Sequence, residues 1–159
     1  MTHYPKETKQ VLRMDEGVHN KPYKDTKNLW TWGVGRLIGA TLDNIHISDT
    51  IVDIMLEEDI KTAVADACVI IGEDNWNKLG EARQVALISL LFTLGRTKFN
   101  KFRNTIDAIK KEDWNRASEG VLDSKWAIDV DPKQRAGVGR DDRVAYMLKL
   151  NKFPKDYDV

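Results

Sequence analysis

Residues 48–72 read SDTIVDIMLEEDIKTAVADACVIIG. Ile51, Val52, Met55, Leu56, Ile60, Ala63, Val64, Ala67 and Ile71 recur at spacings of three and four, the period of an apolar face on an α-helix. Ser48 or Asp49 offers a side-chain oxygen to the first turn, and Gly72 offers a stop. At 1.5 Å rise per residue, about two dozen residues make a rod roughly 35 Å long. Such a rod can join two lobes, and the flanking segments differ enough to supply them.

Upstream, residues 5–16 predict a short helix. Pro5 opens it, Val11, Leu12 and Met14 give it apolar positions, and Gly17 stops it. Residues 18–39 change character: Tyr23, Trp30, Thr31, Trp32 and Val34 stand among Asn20, Asn28, Gly33, Gly35 and Gly39. β-formers interrupted by turn residues predict a small twisted sheet. Downstream, residues 81–94 predict a helix that is apolar on nearly all sides in its later half, which places it in the middle of a core, with Gly95 ending it. Shorter helices are expected at about 99–111, 113–122 and 132–150, the last opened by Pro132 and broken near Gly137 or Gly139. The fold class is therefore α+β and mainly helical. One domain, residues 1–159, is expected: a small sheet lobe over about 15–50, a connecting helix over 48–71, and a helical lobe over about 72–159 that also takes in helix 5–16.

The 159 residues carry 25 basic and 25 acidic side chains with 42% hydrophobic residues, which excludes a disordered chain. The balance argues against a general nucleic-acid binder. Charge is nonetheless uneven, since Arg96–Arg116 holds seven basic and three acidic residues. That segment is either a solvated helical surface or a patch that meets a polyanion. The longest greasy stretch, Val85–Leu94, has about half the ~20 residues that a membrane span needs. No membrane insertion is expected, and the N-terminus has no apolar core of the secretory kind. Cys68 is the single cysteine, and it lies in an apolar helical repeat, so a structural thiol is expected. His3, His19 and His46 have no metal-ligand spacing, and Gly33-Val34-Gly35 lacks the further glycine of a phosphate loop.

Two carboxyl groups stand out. Glu16 sits at the end of a predicted helix, where the dipole opposes its ionised form, and partial burial would reinforce that. Asp25 lies in a polar turn region where solvent keeps it ionised. Two carboxyls in diverging environments suit glycosidic bond cleavage, one as acid to the leaving oxygen and one on the opposite sugar face. Thr31 adds a hydroxyl able to hold a water beside Asp25. From spacing alone the alternative stays open that these are ordinary surface residues.

The order Glu16-Gly17, Tyr23-x-Asp25, Thr31-x-Gly33-x-Gly35 resembles the signature of phage-type lysozymes, with nine residues from Glu to Asp and six from Asp to Thr. Ala86–Gly95 is similar to that family's central buried helix, and Phe102-x-Asn104-Thr105 to the turn after it. Trp126 and Gln134-Arg135-Ala136 also have counterparts, so the likeness runs from about residue 10 to 150. The resemblance implies a two-lobed lysozyme-like fold and a muramidase acting on the β-1,4 bond between N-acetylmuramic acid and N-acetylglucosamine of peptidoglycan. It implies Glu16 as the acid, Asp25 as the group that activates or stabilises the attacking water, and Thr31 as its positioner. It further implies Thr93, Phe102, Asn104 and Arg135 as substrate contacts and no metal or other cofactor. A monomeric endolysin is expected, made in the host cytoplasm and released to the wall by a separate holin-type membrane protein. A lytic transglycosylase using Glu16 alone and a non-catalytic wall-binding module are the rivals.

Three positions depart from the family pattern. Arg36 stands where the closest relatives carry His, and an ion pair with Asp59 on the long helix is expected. Thr93 stands where many members carry Asn or Gln, and Trp32 replaces a smaller β-branched residue. Trp32 is expected to pack under the sheet. Trp30 and Trp126 are candidates for stacking on sugar, and Arg140 reads as part of a solvated helix face.

Overall fold

Ser48 accepts a hydrogen bond from the Ile51 amide at 3.4 Å and opens the longest helix of the chain. The structure, a computed structural model, describes residues 4–39, 47–131 and 139–156. Its element order is α1 (Thr8–Glu16), β1 (His19–Lys24), β2 (Trp30–Gly33), β3 (Arg36–Gly39), α2 (Asp49–Ile71), α3 (Glu73–Lys78), α4 (Glu81–Phe99), α5 (Arg103–Lys110), α6 (Trp114–Leu122), α7 (Lys125–Val130) and α8 (Arg140–Leu150). This is a mainly helical α+β fold of the lysozyme type.

The strands form an antiparallel meander in the order β1-β2-β3. Tyr23 stands opposite Thr31 in one pairing, and Thr31 opposite Leu37 in the next. Two turns fix this register. In the first, Asp25 Oδ1 accepts the amides of Lys27 and Leu29, each at 2.8 Å, and Asn28 takes a left-handed φ of 61°. In the second, Gly33-Val34-Gly35 turns with positive φ at both glycines and buries Val34 in the core. Trp32 packs partly buried against that core, as expected.

Val52, Leu56, Ile60, Ala63, Val64 and Ala67 form the buried stripe of α2. Ile51, counted among its apolar positions, is exposed instead. The helix lies against α4, whose residues 85–91 are all buried, so the segment read as central does occupy the middle of the core. Gly95 ends the regular helix, with φ 68° and ψ 162°, yet helix resumes beyond it as far as Phe99. The segment expected as one helix over 99–111 therefore starts at Arg103, and Phe102 falls in the connection.

Two short helices, α3 and α7, were not anticipated. Six residues are too few to show a clear period. In α3, Trp76 is buried, and Asn75 Nδ2 donates to the Ile71 carbonyl at the end of α2, at 2.7 Å. In α7, Ser124 caps the Ala127 amide at 3.2 Å. The helix expected over 132–150 begins at Arg140, and Pro132 and Gly137 lie outside the described residues. Arg83 stacks on the Trp114 ring at 3.8 Å and donates to the Leu148 carbonyl at 2.9 Å, placing a cation where the α8 dipole is negative. Cys68 is half-buried rather than enclosed, and burial pushes its thiol pKa up, away from a reactive thiolate. Among the described residues no helix is long and apolar enough to cross a membrane.

Leu87, fully buried in α4, tests how tightly the centre is filled. Leu87→Ala is expected to cost about 2–5 kcal/mol through lost burial and a residual cavity. Urea unfolding should show a lower midpoint at an unchanged slope.

Candidate active site

Glu16 is the last residue of α1, and the chain turns at Gly17, whose amide bonds the Arg13 carbonyl at 3.0 Å. The α1 helix is held on α2 by Arg13–Asp53 at 2.6 Å and Lys9–Glu57 at 3.5 Å. From this end the Glu16 side chain meets two elements. Its Oε1 is hydrogen-bonded by Arg140 Nη1 from the first turn of α8. Its Oε2 faces the turn after β2: a Cβ built on Gly35 would stand 3.2 Å from that oxygen. With φ +71° as well, residue 35 is restricted to glycine both by backbone conformation and by contact with the carboxyl.

Arg140 is 8% exposed and was read from the sequence as a solvated residue. The structure corrects that reading. Its Nε lies 3.3 Å from Asp15 Oδ2, and its Nη2 donates to Ser89 Oγ at 3.2 Å. The Asp15 side chain is fully buried and also receives Arg143 Nη2 at 2.8 Å. Asp15, Ser89, Arg140 and Arg143 were therefore missed as site residues. The signal available was slight: two adjacent acids, and two arginines three apart on one helix face. Glu16 is likewise not the isolated acid of the helix-end argument, because a guanidinium sits on it.

Asp25 is held differently, by two backbone amides on Oδ1. Tyr23, also missed, responds to both carboxyls. Burial raises its phenol pKa first, and the negative charges of Glu16 and Asp25 raise it further. One phenol thus feels both groups. Thr31, paired across from Tyr23, is 4% exposed and donates weakly to the Leu29 carbonyl at 3.4 Å. The Tyr23 ring also lies against His19, with centroids 4.2 Å apart.

The opposite wall comes from the helices. Trp126, buried in α7, donates its indole N–H to Thr93 Oγ1 at 3.1 Å, and Thr93 donates in turn to the Ser89 carbonyl at 2.8 Å. Two cavities flank this pair. One, of about 360 Å³, is lined by Gly35, Arg36, Asp59, Asp66, Phe92 and Thr93. The other, of about 900 Å³, takes in Lys27, Phe102, Asn104, Thr105 and Trp126. Thr93 thus lines the smaller cavity, on the Gly35 side, and Phe102 and Asn104 line the larger one, on the Lys27 side. Arg135 lies outside the described residues. No cluster of metal-ligating side chains occurs among the described residues.

The family model for phage lysozymes matches residues 13–140, a span that contains Glu16, Asp25, Arg140 and every residue lining the two cavities. The chain belongs to the phage lysozyme family. Among similar proteins, probable T4-type lysozyme 2 of Dictyostelium discoideum is 24% identical over 146 residues, covering 74% of this chain and 83% of the relative. Probable T4-type lysozyme 1 of the same organism is 23% identical over 146 residues, with the same coverage.

One expected contact of this phage-lysozyme chain is replaced. Arg36 was to pair with Asp59, but its Nη1 lies 3.9 Å from Glu58 Oε2, and no direct Arg36–Asp59 ion pair forms. Asp59 lies on the cavity side of α2 and half-buried, whereas Glu58 is exposed within reach of the flexible guanidinium. Burial raises the Asp59 pKa, the Arg36 charge partly offsets this, and Glu58 adds to it. Side chains 38% and 64% exposed make Arg36–Glu58 a screened surface pair, so Arg36→Ala should cost under about 1 kcal/mol. Asp59 has the opposite sign to a salt-bridged carboxylate. With its folded pKa raised above the unfolded value, its contribution is intact at low pH and lost as pH rises through the folded pKa. Asp59→Asn is therefore expected to leave stability unchanged in acid and to raise it progressively from the ordinary carboxylate range toward neutrality, read as urea midpoints across that pH series.

Proposed function

We propose that this chain is an endolysin that hydrolyses the β-1,4 bond between N-acetylmuramic acid and N-acetylglucosamine in bacterial peptidoglycan. Membership of the phage lysozyme family makes it a lysozyme-type hydrolase. The observations that support the finer reading are that Gly35, which lines the smaller cavity, is packed against the Glu16 carboxyl, and that Tyr23, opposite Thr31 in the sheet, is influenced by the charges of both Glu16 and Asp25.

Glu16 is the general acid. The bond between the anomeric carbon and the glycosidic oxygen breaks, and that oxygen takes its proton from the Glu16 carboxyl. A water adds to the carbon, giving its proton to Asp25 or being stabilised by it, and Thr31 orients that water. Arg140 fixes Oε1, so Oε2 is the oxygen that works on the Gly35 side. Asp25 is steadied by the two amides on Oδ1, which leaves its second oxygen to face the water. Thr93, Phe102, Asn104 and Arg135 contact the glycan, and the small sheet lobe and helical lobe close on it as one domain. No cofactor takes part. The protein acts as a monomer, is held in the host cytoplasm, and reaches the wall when a holin-type membrane protein opens the way.

Glu16→Gln keeps the size of the side chain and an oxygen for Arg140 but removes the acid. It is expected to abolish loss of turbidity by permeabilised Gram-negative cells, a drop of at least about 10²-fold, while the thermal midpoint changes little. Wild-type activity in the variant overturns the assignment. The wild-type products should carry reducing ends, and 1,6-anhydro ends would instead identify transglycosylation by Glu16 alone.

A further inference from the structure

A further cavity, of about 660 Å³, opens between α6, α8 and the segment after α8, and it shares no lining residue with the two cavities of the groove. The fold fixes its floor. Ser118 in α6 and Ala145 in α8 are buried, and Pro154 is buried beyond the left-handed residue Asn151 that ends α8. The Arg143 guanidinium ties the rim in place, with Nη1 3.5 Å from Asp156 and Nη2 2.8 Å from Asp15. The cavity is therefore built before any ligand arrives, and its volume lies in the range of about 300–1,000 Å³ that suits a compact organic ligand.

The lining narrows the ligand. Tyr146 and Leu122 are 40% and 41% exposed, so an aromatic ring and an apolar neighbour keep open surface where they line the cavity. Around them stand Glu119, Asp142 and Asp156 against Arg143, Lys149 and Lys155, three charges of each sign. A balanced rim gives a phosphate or other polyanion no net attraction. Charged side chains so close to the apolar patch also disfavour a lipid chain, which would take them out of water. A neutral, polyhydroxylated ring answers both features. Its C–H faces pack on an aromatic ring, while its hydroxyls donate to carboxylates and accept from ammonium groups. The polymer of the proposed reaction is a chain of such rings.

We propose that the cavity between α6 and α8 is a second carbohydrate site, which takes N-acetylated sugar rings of the wall polymer and holds the protein there while the groove works on another stretch. The inference rests on the wall-cleaving reading above. A weak site suffices. Once the groove is engaged, neighbouring strands present sugar at a high effective concentration, so the second contact forms without a further loss of overall freedom. Arg143 belongs to both places, since the cation on the cavity rim also holds Asp15 beside Glu16, and the test leaves it intact for that reason.

The test uses the Glu16→Gln protein, which leaves a sugar probe uncut, with isotope-labelled backbone amides, titrated with the neutral tetramer of N-acetylglucosamine. The amides of Glu119, Leu122, Tyr146 and Lys149 should shift and saturate. In Glu16→Gln/Tyr146→Ala that response should need about tenfold more probe, while shifts at Gly35 and Thr93 in the groove persist. Co-sedimentation with purified walls then compares wild type, Tyr146→Ala, Glu119→Gln and Val69→Ala, the last an exposed residue of α2 off the cavity. The two cavity variants should bind walls about tenfold more weakly at an unchanged thermal midpoint, and Val69→Ala should bind as wild type does. No shift at the α6 and α8 amides overturns the proposal. So does undiminished wall binding by both cavity variants, or an equal loss in Val69→Ala. Shifts at these amides for a protein whose wild type releases no wall fragments would keep the site and defeat the hydrolase reading, whereas wall cleavage with these amides unmoved would do the reverse.

Discussion

The guanidinium of Arg140 is the contact on which the rest of the site depends. It stands at the first turn of α8 and meets Asp15 and Glu16 at the end of α1 and Ser89 in the middle of α4. Three helices distant in sequence are thus joined through one planar group whose fixed fork suits several acceptors at once. Burial sets its importance. A charge taken out of water is costly unless paired, and here the guanidinium and the fully buried Asp15 carboxylate satisfy each other, with Arg143 as a second cation on Asp15. Removing Arg140 leaves Asp15 with Arg143, and removing Asp15 leaves Arg140 on Glu16 and Ser89, so the clamp on the end of α1 is shared by several buried contacts. Glu16 inherits its position from that clamp.

The second constraint is steric. Glu16 is pressed from one side by Arg140 and from the other by the backbone at Gly35. The carboxyl therefore has few places to go, which suits the proposed role of delivering a proton along a set direction. The same turn buries Val34 in the core, so the sheet is anchored where it touches the acid. Asp25 is fixed by local means instead, its own turn supplying two amides. One carboxyl is thus held by tertiary structure and the other by the chain immediately around it.

That difference explains how much could be read from the sequence. Asp25, Thr31 and Gly35 belong to a contiguous strand-turn pattern, and their spacing survives as a legible motif. The long helix over 49–71 and the buried run over 85–91 were legible because a helical period and an all-apolar face are local properties. Arg140 lies 124 residues from Glu16, and nothing in its neighbourhood distinguishes a buried clamp from a solvated arginine. The helices α3 and α7 failed for lack of length, and the helix break at Gly95 misled because α4 resumes after it. For Arg36 the expected partner was one residue off: both Glu58 and Asp59 are on α2, and only the side-chain directions choose between them.

The groove that results is electrically uneven along its length. The smaller cavity, next to Gly35, sets Asp59 and Asp66 against Arg36, and Asp66 is paired further with Arg96 at 3.5 Å. Its charges nearly cancel, which suits neutral sugar rings. The larger cavity, next to Asp25, carries its cations without partners among the described residues. The divide falls at the Thr93–Trp126 hydrogen bond. A shorter side chain at 93 keeps that bond while its hydroxyl is turned back onto the Ser89 carbonyl, so it projects little into the space between the cavities. Ser89 in turn carries Arg140. The wall of the groove and the clamp on the proposed acid therefore meet at one residue of α4, Ser89, which accepts from Thr93 through its carbonyl and from Arg140 through its hydroxyl.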